Sequence, residues 1–437
     1  MKLARNRFAR AAAAALTAGV LLLMTACTPS ADATSKLPEQ VPGSFDKEIV
    51  THLDAALDTA VTLSGSTGAI AGVWAPWAGT WEASPGTTTN DGKEPLNTDM
   101  RFRIGANTTA MTCSVMLSLV DQNQLKLDDP VSKYLPRVVG IDGITLAQLC
   151  QNTSGLADYT AALAPQFVNN PERIWPPLEI FSDGAASAAS TKPGTAWANS
   201  STGVVLLGMA LESATGLDWP HLYQQYVFDR LGMDASSFPD PEQLTIRGAH
   251  PNGYATALNP IDGTPQCGTV VDDTELSNSM LYTAGGAVSD LNDMGRFAQA
   301  LANGSLLTKA TSKAQWKTVP LGGTAPAWQQ YGLGGIQLGP MRGQAGAVPG
   351  FISAMLSDPS SGLTVVVMLN NSTSGAAFAQ AFAQQLAAIA SKAPAKKGSP
   401  PTIALPWSAQ QAADTVTAST VCPPAPATPP AEPAPAG

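Results

Sequence analysis

Apolar residues at Leu53, Ala56, Leu57 and Ala60 recur at three- and four-residue intervals, the spacing of a helix with one buried face. They predict a helix over residues 45–63 with Ser44 as its cap. The pattern then shortens. Residues 69–75 and 80–83 are compact apolar runs on either side of Trp77-Ala-Gly79 and read as two strands joined by a turn. Beyond the polar Asn90-Asp-Gly92 turn, a strand-like approach through Phe102 stops at Gly105, where a second helix begins and runs through Leu117 and Val120.

From about residue 110 to 325 helical spacing and loops prevail. Thr145 is placed to cap a helix that Ser154-Gly155 would end, and Lys192-Pro-Gly194 turns the chain into a helix over 203–214 carrying Leu206, Leu207, Met209 and Ala210. Residues 222–231 and 284–301 fit further helices. From Tyr331 the pattern returns to sheet. Residues 331–338, 350–357 and 363–369 are strand candidates, the last two joined by Asp358-Pro-Ser-Ser-Gly362, and a helix over 375–391 is placed to close one face.

Composition adds export. The basic start through Arg10 and the apolar run 11–26 have the form of a signal peptide, too short and wrongly flanked for a membrane span. Met24-Thr-Ala-Cys27 looks like a bacterial lipobox, which would leave Cys27 as a lipidated N terminus and attach the protein to a membrane through that anchor. Removal of residues 1–26 takes away Lys2, Arg5, Arg7 and Arg10 and no acid, so the formal charge moves from −9 to −13. With a pI near 4.8, this excludes nucleic acid as an expected partner and direct electrostatic attachment to an anionic bilayer. Residues 27–44 have the composition of a tether, 45–392 of a folded domain, and 393–437 of an Ala/Pro-rich flexible tail. His52, His221 and His250 are scattered and no cysteine has metal-ligand spacing, so neither a metal nor another cofactor is expected.

The stretch from Phe102-Arg-Ile-Gly105 through Cys113, continued by Gln124-Leu-Lys-Leu-Asp-Asp-Pro130 to Pro136, resembles the penicillin-binding and class C beta-lactamase superfamily. Leu146-Ala-Gln-Leu-Cys-Gln-Asn-Thr-Ser-Gly-Leu156 and the segment 284–301 resemble further elements of it. The resemblance covers about residues 46–391. It implies an α+β fold in which strands from both chain ends interleave into one antiparallel sheet flanked by helices, with a mainly helical insertion over about 110–325. It also implies a cleft with three motifs. In the first, Ser-x-x-Lys, the serine is the nucleophile and the lysine its base; those places are Ala106 and Thr109. The second, Tyr-x-Asn, falls on Asn199 and Ser201; a shift by two would read Trp197-Ala-Asn199 but breaks the match on both flanks. The third places Gln344 where a Lys or His belongs and keeps Gly346 as the small residue beside the ligand.

The chemistry of those replacements is plain. Alanine has no atom with which to attack, threonine is no general base at neutral pH, and glutamine donates hydrogen bonds without transferring protons. A scan for Ser-x-x-Lys elsewhere finds only Ser44-Phe-Asp-Lys47, beside the tether. Catalysis at the family positions Ala106, Thr109, Asn199, Ser201 and Gln344 is therefore not expected, because groups that act as a unit lose most of their effect when one is absent. Expected instead is a cell-envelope protein that binds a peptidoglycan fragment or an envelope protein through Thr108, Thr109, Asn199, Ser201, Gln344 and Gly346. The alternatives are an atypical serine hydrolase, such as a D-alanyl-D-alanine carboxypeptidase or esterase, and a purely structural lipoprotein. For that hydrolase Thr108, Thr109, Ser200 and Ser201 are conceivable nucleophiles without a visible basic partner. Cys113, Cys150, Cys267 and Cys422 allow three disulfide pairings. Cys113 with Cys150, both on helices placed near the cleft, is the first expectation, and Cys422 with Cys267 would staple the tail.

Overall fold

A computed structural model describes residues 37–189 and 191–423; Cys27 and the signal segment lie outside them. The N-terminal part supplies α1 (Lys47–Ser64), β1 (Ala69–Ala75), β2 (Gly79–Ala83), β3 (Phe102–Arg103) and α2 (Asn107–Asp121). The middle supplies α3 (Leu146–Cys150), α4 (Thr160–Asn169), α5 (Pro177–Ala186), α6 (Ser201–Thr215), α7 (Trp219–Tyr223) and α8 (Asp229–Leu231), the last two joined by a π-helical turn. There follow a hairpin, β4 (Tyr254–Leu258) and β5 (Pro265–Asp272), then β6 (Val288–Ser289), α9 (Leu291–Asn303) and α10 (Lys309–Gln315). The chain closes with β7 (Val319–Pro320), β8 (Gln329–Tyr331), β9 (Ile336–Leu338), β10 (Met341–Val348), β11 (Phe351–Ser357), β12 (Thr364–Leu369), α11 (Gly375–Ala390) and α12 (Ala409–Ala418).

The main sheet runs β2-β1-β12-β11-β10-β9-β8-β7, with neighbours antiparallel. Its two chain ends meet at β1 and β12, where Ala69 pairs with Leu369 and Trp74 with Thr364. Both faces are covered, and the two-residue period of a strand decides which side chain goes where. On β11 and β12, Ile352, Ala354, Val365 and Val367 face a core shared with α1 and α11. Phe351, Met355, Val366 and Met368 face the core of the helical insertion. Each fully buried Val, Leu or Phe of this kind contributes about 1.5–3 kcal/mol.

The fold is the α+β arrangement expected, with local differences. Asp46, not Ser44, precedes α1; Ser44 instead bridges to Thr80 at the sheet edge. Residues 331–338 are two strands rather than one, because Gly334, at φ +86°, turns the backbone against Cys113, where a Cβ would come within 2.4 Å. The helix expected over 284–301 starts later: Ala284 ends a short 3-10 turn (Tyr282–Ala284), Val288 pairs with Arg103, and α9 starts only after Asp290 caps it through the Asp293 amide. The assignment of 393–437 to a flexible tail is corrected as far as residue 423. Trp407 seats on α11 through Nε1–H to the Gln384 carbonyl (2.9 Å) and lies 5.4 Å from the Trp328 ring. α12, with a Ser408/Gln411 capping box, packs on α11. The tether is likewise attached from residue 37 onward, Gln40 donating to the Ala75 and Gly79 carbonyls.

Both expected disulfides are present. Cys113–Cys150 links α2 to α3 with Cα atoms 5.8 Å apart, and Cys267–Cys422 fastens the segment after α12 to β5 with 5.5 Å.

Candidate functional site

The site is built where the first turn of α2 meets the edge of β10. Gly105 is in the left-handed region at φ +51°, and a Cβ on it would stand 2.6 Å from the Ala347 nitrogen. From the other side, a Cβ on Gly346 would stand 2.2 Å from the Ala106 nitrogen. Two glycines thus let two backbones touch, which no other residue pair would allow. Asn107 secures the junction, its Nδ2 donating to Ser353 Oγ and the Ile104 carbonyl, both at 2.9 Å, while Ser353 Oγ donates to that same carbonyl at 3.0 Å. Ala106 and Ala347 end up on the wall of a cavity of about 410 Å³.

The cavity is mostly apolar. Ala161, Ala164, Phe167 and Val168 of α4 contribute much of the lining, together with Leu281, Ala284 and Val348. Polar groups enter from Thr160, Asn199, Ser201 and Ser372, and among the described residues no Lys, Arg or His lines it. Ser200, the α6 cap, is buried with its hydroxyl accepting from the Gly203 amide, so Ser201 is the hydroxyl of this pair that faces the cavity.

Of the residues expected at the site, Ala106, Asn199 and Ser201 line the cavity. The others stand behind it. Thr108 is fully buried and its Oγ1 accepts from the Ala287 amide at 3.1 Å. Thr109 donates to the Ala284 carbonyl at 3.1 Å, bracing the wall from the rear. Gln344 donates through Nε2 to the Tyr331 hydroxyl at 2.8 Å, and Tyr331 in turn packs against Trp197 at 5.8 Å. Gly346 contributes closeness rather than a contact atom. Burial pushes the Tyr331 phenol up to about 12 against the opposing effect of the Gln344 bond, so it is a neutral hydroxyl at physiological pH and no base. Ser44 and Lys47 do not line the cavity.

One functional group escaped sequence reasoning. Asp158, half-buried between α3 and α4, accepts from Asn199 Nδ2 at 2.6 Å and from Ser201 Oγ at 3.4 Å through Oδ2. Its Oδ1 accepts from the Thr160 amide at 3.0 Å and hydroxyl at 2.9 Å. The only local signal was Asp-Tyr-Thr, an Asx-turn spelling common before helices; its meeting with Asn199, 41 positions away, depends on tertiary packing.

The sequence profile of the beta-lactamase family matches residues 53–389. Among curated proteins, the chain is 24% identical over 275 residues to penicillin-binding protein 4* of Bacillus subtilis (strain 168), an alignment taking in 60% of this chain and only 59% of that protein. It is 27% identical over 306 residues to the D-alanyl-D-alanine-carboxypeptidase/endopeptidase AmpH of Escherichia coli (strain K12), 63% of this chain and 72% of that one. Among solved structures, a D-stereospecific amidohydrolase from Streptomyces sp. superposes with a TM-score of 0.65 at 27% identity, covering 74% of this chain and 94% of its own.

Proposed function

The chain belongs to the beta-lactamase family, and on that premise we propose that it binds a short peptide of the kind found in peptidoglycan, reversibly, forming no acyl intermediate at Ala106. The observation that carries this reading is the methyl group of Ala106 at the cavity wall beside Ala347, on the turn where the family's nucleophile belongs. A reactive serine there needs a neighbouring base, and the surroundings support binding instead: Thr109 and Gln344 are occupied by the Ala284 carbonyl and the Tyr331 hydroxyl. A cavity of about 410 Å³ with apolar walls and a few polar groups is of ligand-binding size. Calorimetry with a stem peptide ending in D-alanyl-D-alanine tests it. Saturable heat without release of D-alanine supports the reading, and release of D-alanine overturns it.

The second reading is hydrolysis, and the names of the relatives favour it, since they are those of a carboxypeptidase/endopeptidase and an amidohydrolase. Its specific support is Ser201, whose hydroxyl faces the cavity with the Asp158 carboxylate 3.4 Å away. That distance is long for an O–H donor, and a carboxylate is a weak base for a serine. The same titration, followed by mass spectrometry for an adduct on Ser201, separates the two readings.

For location, we propose export and attachment to the membrane through lipid on Cys27, with a peptidoglycan fragment or an envelope protein as partner. No helix among the described residues is long and apolar enough to cross a membrane. Cys27→Ala is expected to move the protein out of the membrane fraction, and a mature N terminus downstream of Cys27 contradicts the anchor.

A further inference from the structure

The geometry points to a ligand class: we infer that Asp158 makes this cleft selective for ligands that carry a free ammonium group beside an apolar side chain. The inference deepens the reversible-binding reading and rests on it. Asn199 and Ser201 project into the cavity, and both are tied to Asp158 Oδ2, while Thr160, also in the lining, is tied to Oδ1. The carboxylate is half-buried and sits directly behind the polar corner of the cavity. Its partners are an amide, hydroxyls and a backbone N–H; among the described residues no Lys, Arg or His pairs with it. Hydrogen bonds from neutral donors hold a carboxylate in place without cancelling its charge.

The consequence is a negative charge without a cationic partner behind the Asn199, Ser201 and Thr160 part of the lining. A ligand carboxylate placed there would meet like-charge repulsion from Asp158. A primary ammonium fits: it has three donors, the Ser201 hydroxyl oxygen and the Asn199 amide oxygen are acceptors among the lining residues, and the Asp158 charge stands behind both, held by its four hydrogen bonds. The rest of such a ligand is specified by Ala161, Ala164, Phe167, Val168 and Leu281, which offer a surface for a branched or aromatic side chain. The cleft is thus suited to an amino-acid amide or a peptide presenting a free amino group, and unsuited to an N-acylated one at the same place.

The test is calorimetry of the full mature chain with two probes, D-leucinamide and N-acetyl-D-leucinamide. The wild type is expected to bind the free amine at least ten-fold more tightly than the acetylated amide. In Asp158→Asn the free amine should weaken ten-fold or more and the two probes should come within about three-fold of each other, whereas Asp158→Glu should keep the preference for the amine. Thermal melts of each variant separate loss of binding from loss of folding; if Asp158→Asn fails to fold, the wild type and Asp158→Glu still decide. Equal or tighter binding of the acetylated probe, an unchanged preference in folded Asp158→Asn, or no heat with either probe overturns the inference. Binding of the stem peptide without D-alanine release would then leave the reversible-binding reading standing, whereas D-alanine release would overturn that reading whatever the two amides do.

Discussion

Gly346 lies so close to Ala106 that a Cβ on the glycine would come within 2.2 Å of the alanine's nitrogen. The contact is backbone on backbone, so no side-chain rotation can relieve it. Gly346→Ala must therefore push β10 away from the start of α2, and is expected to cost about 1–3 kcal/mol of stability. Because the same junction forms the cavity wall, ligand affinity should fall at least ten-fold, read by calorimetry at a temperature where the variant remains folded.

Restoring the first motif alone should not restore a hydrolase. In Ala106→Ser with Thr109→Lys, the new amine loses the Thr109 bond to the Ala284 carbonyl and enters a buried place. Asn199 stays tied to Asp158 and Gln344 to Tyr331. Turnover of a chromogenic beta-lactam by this variant is expected to stay at the level of the wild type; rates near those of active relatives would show that the other replacements matter little.

Trp407 holds the C-terminal segment to the body. Trp407→Ala removes its bond to the Gln384 carbonyl and its contact with Trp328, at a cost of about 3 kcal/mol. Proteolysis should then cut between residues 394 and 408 in the variant and spare the wild type.

Asp273 makes stability depend on pH. Its carboxyl is 1% exposed and neither oxygen has a partner among the described residues, and burial, aided by Asp272, raises it from 3.8 to about 8. The native state therefore keeps a proton that the unfolded chain releases between those values, so stability falls as pH rises from about 4 to about 8. The slope is on the order of 1.4 kcal/mol per pH unit for one such group. Asp273→Asn should melt several degrees above the wild type at pH 8, with the difference vanishing near pH 4.

Local pattern was enough for the parts whose burial repeats at a fixed period. β1, β11, β12 and α11 were legible as elements from their apolar runs and spacing, and the flanks of the cleft motifs located Ala106 and Gly346. What was not legible depends on partners distant in sequence. The split between β8 and β9 is imposed by Cys113 against Gly334. α12 has a proline-rich approach that reads as loose chain, and it is fixed by Trp407 and by Cys422 on Cys267. Asp158 reads as a helix-start residue until α6 brings Asn199 and Ser201 to it. The apolar wall of α4 interrupted by Pro165 gave too short a repeat to stand out.

The central claim is that no residue of the cleft carries an acyl group. Intact-mass measurement of the purified mature protein after incubation with a labelled penicillin tests it most directly. The account predicts an unchanged mass at every time point, with the label recovered free; a stable adduct of one penicilloyl group per chain, mapped by peptide analysis to Ser201 or any other residue of the cleft, would contradict it.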